Sequence, residues 1–155
     1  MKIRNFFAIA ALLALAMPSA FAFDGIDVQT AVEGASTTSS VNLKIGLEWQ
    51  IGINAYRKIG TSELEVHEGA DSTYIVNFLG QDYSVRFDVR GYRLESGSAP
   101  ATWVLFVTQN QILNGKAVAE PKTVRFFLDQ GQAKRHKFTG TYRTQARNLR
   151  LTFSY

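Results

Sequence analysis

Between Val41 and Ile53, apolar side chains occupy every second position: Val41, Leu43, Ile45, Leu47, Trp49, Ile51 and Ile53. Asn42, Lys44, Gly46, Glu48, Gln50 and Gly52 lie between them. A period of two sends one set of side chains to a buried face and the other to solvent, so this stretch predicts a long β-strand with one wet face. Its two glycines predict a bend or bulge along the way. The same period governs the last eight residues, Asn148-Leu149-Arg150-Leu151-Thr152-Phe153-Ser154-Tyr155, with Leu149, Leu151, Phe153 and Tyr155 on one face. Chain ends usually fray. A patterned strand running to an aromatic last residue predicts a terminus built into the core.

Shorter alternating or β-branched runs fill the interval, near residues 63–67, 73–79, 83–94, 102–109, 123–128, 137–143 and 147–155. Turn residues separate them, as at Gly69-Ala70-Asp71, Gly80-Gln81-Asp82, Asn114-Gly115 and Gln130-Gly131-Gln132. Short strands at this spacing predict an all-β domain. Trp103-Val104-Leu105-Phe106-Val107 is apolar on both faces, which fits a strand covered from two sides in a β-sandwich.

The first 22 residues read as a secretory signal. Lys2 and Arg4 supply the positive start and Phe6 to Met17 the apolar stretch. Pro18 then precedes Ala20-Phe21-Ala22, a small-x-small cleavage site. The expected mature chain begins at Phe23 and forms one domain over residues 41–155, preceded by an arm and tether over 23–40. Cleavage would take two of the 17 Lys and Arg and none of the 13 acids, lowering the formal charge from +4 to about +2. That balance gives no reason to expect a nucleic-acid partner. The absence of cysteine excludes thiol catalysis, disulfides, Cys-ligated metal and a lipidated cysteine.

Phe23 to Val32 alternates weakly, with Ile26, Val28, Thr30 and Val32 on one face. The small, uncharged stretch Gly34-Ala35-Ser36-Thr37-Thr38-Ser39-Ser40 follows and reads as a flexible tether. Phe23-Asp24-Gly25, then Leu47-Glu48-Trp49-Gln50-Ile51-Gly52, then the alternating end resemble subunits of chaperone–usher fimbriae from enteric pathogens, the cysteine-free kappa-class group. Those chains carry a Phe-Asn-Gly arm, a Trp-Glu-Trp-Lys-Val-Gly-like strand and a terminal tyrosine. Leu47 stands where the first tryptophan of that strand would be, and the resemblance covers the two ends of the chain and not its middle.

The resemblance implies an incomplete immunoglobulin-like β-sandwich completed by donor-strand complementation. Such a fold leaves an edge that aggregates if bare. A periplasmic fimbrial chaperone fills it first, and the arm of a neighbouring pilin subunit then replaces the chaperone at the outer-membrane usher. Carried to this sequence, Ile26, Val28, Thr30 and Val32 would be the pocket-filling face of the donor strand. Three buried aliphatics at ~1.5–3 kcal/mol each would contribute roughly 5–9 kcal/mol before ordering costs. Leu149, Leu151, Phe153 and Tyr155 would line the groove and bind the chaperone. Gly140 and Tyr142 sit near the glycine of many pilin carboxy-terminal motifs. The implied protein is a minor subunit, non-enzymatic and without cofactor, exported through the periplasm to the surface, with a host glycan as a partner of the whole fimbria. Arg147 interrupts the apolar face of the last strand.

Two other classes compete. Alternation ending in an aromatic residue also fits a small outer-membrane β-barrel, and a periplasmic β-sandwich that binds a ligand fits the same composition. Glu65, His67, Glu68 and Asp71 invite a metal or acid–base reading, yet they straddle a turn and read first as a solvated edge. Lys134-Arg135-His136-Lys137, with Arg143, Arg147 and Arg150, makes the last quarter basic. It reads first as a solvated hairpin tip, and second as a patch for an acidic glycan, a lipid headgroup or an acidic partner. Trp49 and Trp103 lie in apolar runs and read as core rather than as sugar-stacking residues.

Overall fold

A computed structural model describes residues 19–23, 25–32, 39–95, 100–142, 145–146 and 148–155. The core of the expected signal (1–18), the centre of the expected tether (33–38), Arg143 and Arg147 lie outside the described residues.

The chain is all-β. Among the described residues thirteen strands follow in order: β1 Ser19–Phe23, β2 Ile26–Val32, β3 Ser40–Gly52, β4 Ala55–His67, β5 Asp71–Phe78, β6 Tyr83–Leu94, β7 Thr102–Leu113, β8 Lys116–Ala117, β9 Lys122–Leu128, β10 Ala133–Phe138, β11 Thr141–Tyr142, β12 Gln145–Ala146 and β13 Leu149–Ser154. Two antiparallel sheets pack face to face. The larger runs β1-β2-β5-β6-β7, with β8 and β9 sharing the far edge of β7, and the smaller runs β10-β13-β3-β4. Within the described residues the chain crosses between sheets at two corners. At one, β4 turns into β5, where the Ser72 hydroxyl donates to the Glu65 carbonyl at 2.7 Å. At the other, β9 turns into β10 through Gly131, whose φ of 76° suits a residue without a side chain.

The alternating faces meet between the sheets. Leu43, Ile45 and Leu47 from β3 and Leu151 and Phe153 from β13 face Val76, Val85, Phe87, Val89 and Leu105 of the other sheet, all fully buried. Aromatic pairs bridge the layers: Phe87 meets Phe138 edge-on with centroids 4.9 Å apart, and Trp49 meets Phe78 at 5.6 Å. Each such pair contributes about 0.5–1.5 kcal/mol beyond its buried area.

Three differences from the sequence reading have physical causes. β4 begins at Ala55, well before the alternation at 63–67, because Ile59 is an extra residue opposite Leu47 and Glu48 and breaks the period. β10 spans Ala133–Phe138 rather than 137–143, because Lys134, Arg135 and Lys137 belong to an edge strand that turns only His136 and Phe138 inward. On β7, Trp103, Leu105 and Val107 are buried in the core, while the outward face is covered by a row of aromatics rather than by a second layer. Phe106 packs edge-on against Tyr92 at 6.0 Å, and Arg125 lies over Phe127.

Candidate functional site

The amino-terminal strand enters the fold through a tight reversal. Gly25 adopts φ 82° and lets the chain double back so that β2 pairs antiparallel with β1 on one side. On the other side β2 pairs with β5 over seven residues, from Ile26 opposite Phe78 to Val32 opposite Ser72. Leu79 N donates to the Gly25 carbonyl at 2.6 Å and closes the start of this ladder. On the outer face the Asp27 carboxylate accepts from Gln29 at 2.9 Å and from Asn77 of β5 at 3.3 Å. β2 also packs against β4 of the opposite sheet, so it seals the corner where the two layers meet.

Burial along β2 is graded. Ile26 and Val28 are completely buried, Thr30 is half-buried, and Val32 is 42% exposed. Only two aliphatic side chains reach the core, which lowers the contribution of this strand to about 3–6 kcal/mol. Ser19–Phe23, assigned from sequence partly to the signal, forms β1 on the outer edge of β2.

The carboxy-terminal residues lie elsewhere. Leu149, Leu151 and Phe153 are buried in the core, and the half-buried Tyr155 donates its hydroxyl to the Ala101 carbonyl. β13 is paired along both edges, with β10 from Phe138 to Ala133 and with β3 from Trp49 to Lys44. Gly140 is buried, and Tyr142 pairs with Gln145 in the small β11–β12 ladder. The strand assigned from sequence as an arm and the strand assigned as its groove therefore sit in different sheets and share a core but no ladder.

The other sequence candidates separate into ordinary contacts. His67 lies 3.7 Å from Glu65, Glu68 accepts from the Arg93 backbone N–H at 3.2 Å, and Asp71 is held by Arg90 through two hydrogen bonds of 2.9 and 2.6 Å. Among the described residues no group of three His, Cys, Asp or Glu is spaced to hold a metal ion. Trp103 is buried and Trp49 half-buried in the core.

A feature missed in the sequence lies on the outer face of the larger sheet. Asp71, Asp88, Arg90, Tyr92, Phe106 and Asn110 line a cleft of about 460 Å³. The Asp88 carboxylate there accepts from Arg86 at 2.6 Å and from Asn110 at 2.9 Å. The even-numbered run Arg86, Asp88, Arg90, Tyr92, alternating with buried Val85, Phe87 and Val89, was the available signal.

Comparison with known proteins finds no matching family model, no matching curated relative and no matching solved structure.

Proposed function

We propose that this protein is a structural subunit of an exported fibre that assembles by exchange of its amino-terminal strand, in the manner of a minor chaperone–usher fimbrial subunit. One observation carries the reading. β2, the first strand of the expected mature chain, seals the corner of the sandwich, buries Ile26 and Val28 completely, and precedes a strand of the opposite sheet. A strand placed this way can leave its own domain and fill the same position on a neighbour without any change in the contacts made. The receiving edge in this proposal is β5, with Tyr74, Val76 and Phe78 along it, rather than the carboxy-terminal strand. A periplasmic chaperone would cover that edge until the usher delivers the next arm. The transfer is heterologous and need not close, so it yields a filament.

The outward faces argue against the barrel alternative. Lys44, Glu48, Arg150, Arg86, Asp88 and Arg90 point away from an apolar core, the inverse of the apolar outer band of a membrane barrel. A self-contained binding sandwich is the second reading, favoured by the cleft beside Tyr92 and Phe106.

The deciding experiment removes residues 23–38 and supplies Phe23–Val32 as a separate peptide. The strand-exchange reading expects the shortened chain to aggregate alone and to be recovered as a soluble one-to-one complex with the peptide, or with a fimbrial chaperone. A shortened chain that stays a cooperative monomer and ignores the peptide rules out strand exchange and favours the self-contained sandwich.

A further inference from the structure

The smaller sheet presents an outward face that the fibre reading does not use. One row of its ladder runs across all four strands as Arg135, Thr152, Gly46 and Thr61. The row on one side is Lys137, Arg150, Glu48 and Lys58, and the row on the other is Ala133, Ser154, Lys44 and Glu63. Gly46 contributes no side chain to the central row, so the sheet carries a trough of about 330 Å³ floored by Gly46 and walled by Lys44, Lys58, Arg135, Thr61, Thr152 and Glu48. That volume lies at the lower end of small-ligand sites, roughly 300–1,000 Å³.

The charges in the trough are unequal. Glu48 is the one carboxylate among its lining residues, and Arg150 already holds both its oxygens, at 2.7 and 2.8 Å. Arg135 comes no nearer to Glu48 than 3.9 Å and donates to the Thr152 hydroxyl at 3.3 Å. Among the described residues no ion pair engages Lys44 or Lys58. Glu63 stands directly opposite Lys44 in the same row but does not line the trough. Three cations around one lining carboxylate, set among hydroxyl donors on a floor without a side chain, are the components of an oxyanion site.

We propose that this trough binds a tetrahedral oxyanion, sulfate or phosphate, carried on a saccharide chain. The trough runs from one edge strand of the sheet to the other, so a chain can pass through it while its anionic group meets Lys44, Lys58 and Arg135. The hydroxyls of Thr61, Thr152 and Ser154 are then placed for sugar hydroxyls. None of the exposed large apolar residues belongs to these three rows, which leaves a lipid surface nothing to gain by insertion. Arg135, from the basic last quarter of the chain, thus acts together with Lys44 and Lys58, which the sequence places far from it. The proposal does not depend on strand exchange, because a self-contained monomer carries the same face.

The test measures binding of a fluorescent heparin hexasaccharide to the mature chain by anisotropy at two salt concentrations. Inorganic sulfate and phosphatidylserine vesicles serve as parallel probes. Gly46→Val fills the trough without changing charge, and its Cβ would meet Thr152 no closer than 3.7 Å. Thr61→Gln fills it from an exposed position and serves if the first variant folds poorly. The proposal expects salt-sensitive binding, competition by millimolar sulfate, and affinity about tenfold lower in the filling variants and in the Lys44→Gln, Lys58→Gln, Arg135→Gln variant. Lys116→Gln with Lys122→Gln should leave affinity unchanged. Equal binding by the filling variants, or equal loss on changing Lys116 and Lys122, overturns the trough in favour of diffuse charge. Binding of the vesicles but not of the hexasaccharide overturns it in favour of a membrane surface.

Discussion

Arg150 of the last strand grips Glu48 of β3 through a two-pronged ion pair, Nε to one carboxylate oxygen at 2.7 Å and Nη2 to the other at 2.8 Å. The guanidinium also lies 4.0 Å above the ring of Tyr56 on the neighbouring strand. This cluster joins three strands of the smaller sheet across its outer face, and it fixes the register that puts Leu149, Leu151 and Phe153 into the core. The hydrogen bond from Arg150 holds the Glu48 carboxyl below its ordinary value of 4.5, opposed by burial and assisted by the charges of Arg150, Arg135 and Lys58. A depressed carboxylate stabilises the fold above its unfolded pKa, and that contribution disappears as pH falls through the folded value. Glu48→Gln is therefore expected to cost about 1–2 kcal/mol near pH 7 and less at an acid pH well below 4.5. Urea unfolding of both proteins at the two pH values checks this, and a difference independent of pH would refute it.

Val28 sits completely buried at the centre of the β2 ladder, opposite Val76. Val28→Asp places an unpaired carboxylate in the core, a change that costs several kcal/mol when the strand is seated. Under the strand-exchange proposal the variant still accepts a wild-type arm on its β5 edge but cannot donate its own. Mixed with wild type, it should cap growing fibres and shorten them in proportion to its share. Val32→Asp, at an exposed position, should leave fibre length unchanged. Equal effects of the two substitutions would remove β2 as the exchanged strand.

Alternation revealed which face of each strand is buried but not which edge is paired. Over residues 41–47 of β3, 83–89 of β6 and 149–153 of β13 the buried residues follow the period of two directly. Ile51 and Ile53, which continue the β3 alternation in sequence, are instead 62% and 95% exposed where the strand ends in its turn. The neighbours of a strand depend on backbone groups that every residue shares, so nothing in Leu149–Tyr155 distinguishes a groove wall from a central strand held by β10 and β3. The first half of β4 stayed hidden because the bulge at Ile59 shifts the period, and β10 because its charged residues resemble a solvated tip. The trough at Gly46 needs four strands in register, which no local pattern encodes.

Gly91 marks a close approach that no local pattern announced. A Cβ there would come within 3.0 Å of both the Trp103 ring and Val66, in the interior where β6 passes between β7 and the end of β4. Neither neighbour is a flexible side chain able to swing away. Gly91→Ala is expected to destabilise the domain by about 1–3 kcal/mol through overpacking and to change the near-ultraviolet dichroism of Trp103. An alanine variant as stable as wild type, with an unaltered tryptophan signal, would show that the interior tolerates the added methyl.

His136 gives the smaller sheet a second dependence on pH, of the same sign as that of Glu48 but at higher pH. Its ring packs edge-on against Phe138 at 4.7 Å and Phe126 at 5.6 Å, at the corner where β9 meets β10. Burial there lowers its pKa from the ordinary 6.5. The folded state then takes up its proton less readily than the unfolded chain, so stability falls as pH drops below about 6.5 and levels off once pH is under the folded value. His136→Phe keeps an aromatic ring at the corner and removes the titration. Its stability should vary less than that of wild type between about pH 7 and pH 5, while both proteins retain the loss that Glu48 contributes as pH falls below 4.5. Thermal unfolding midpoints across that range separate the two groups, and parallel curves for wild type and His136→Phe would exclude His136 as a source of the slope.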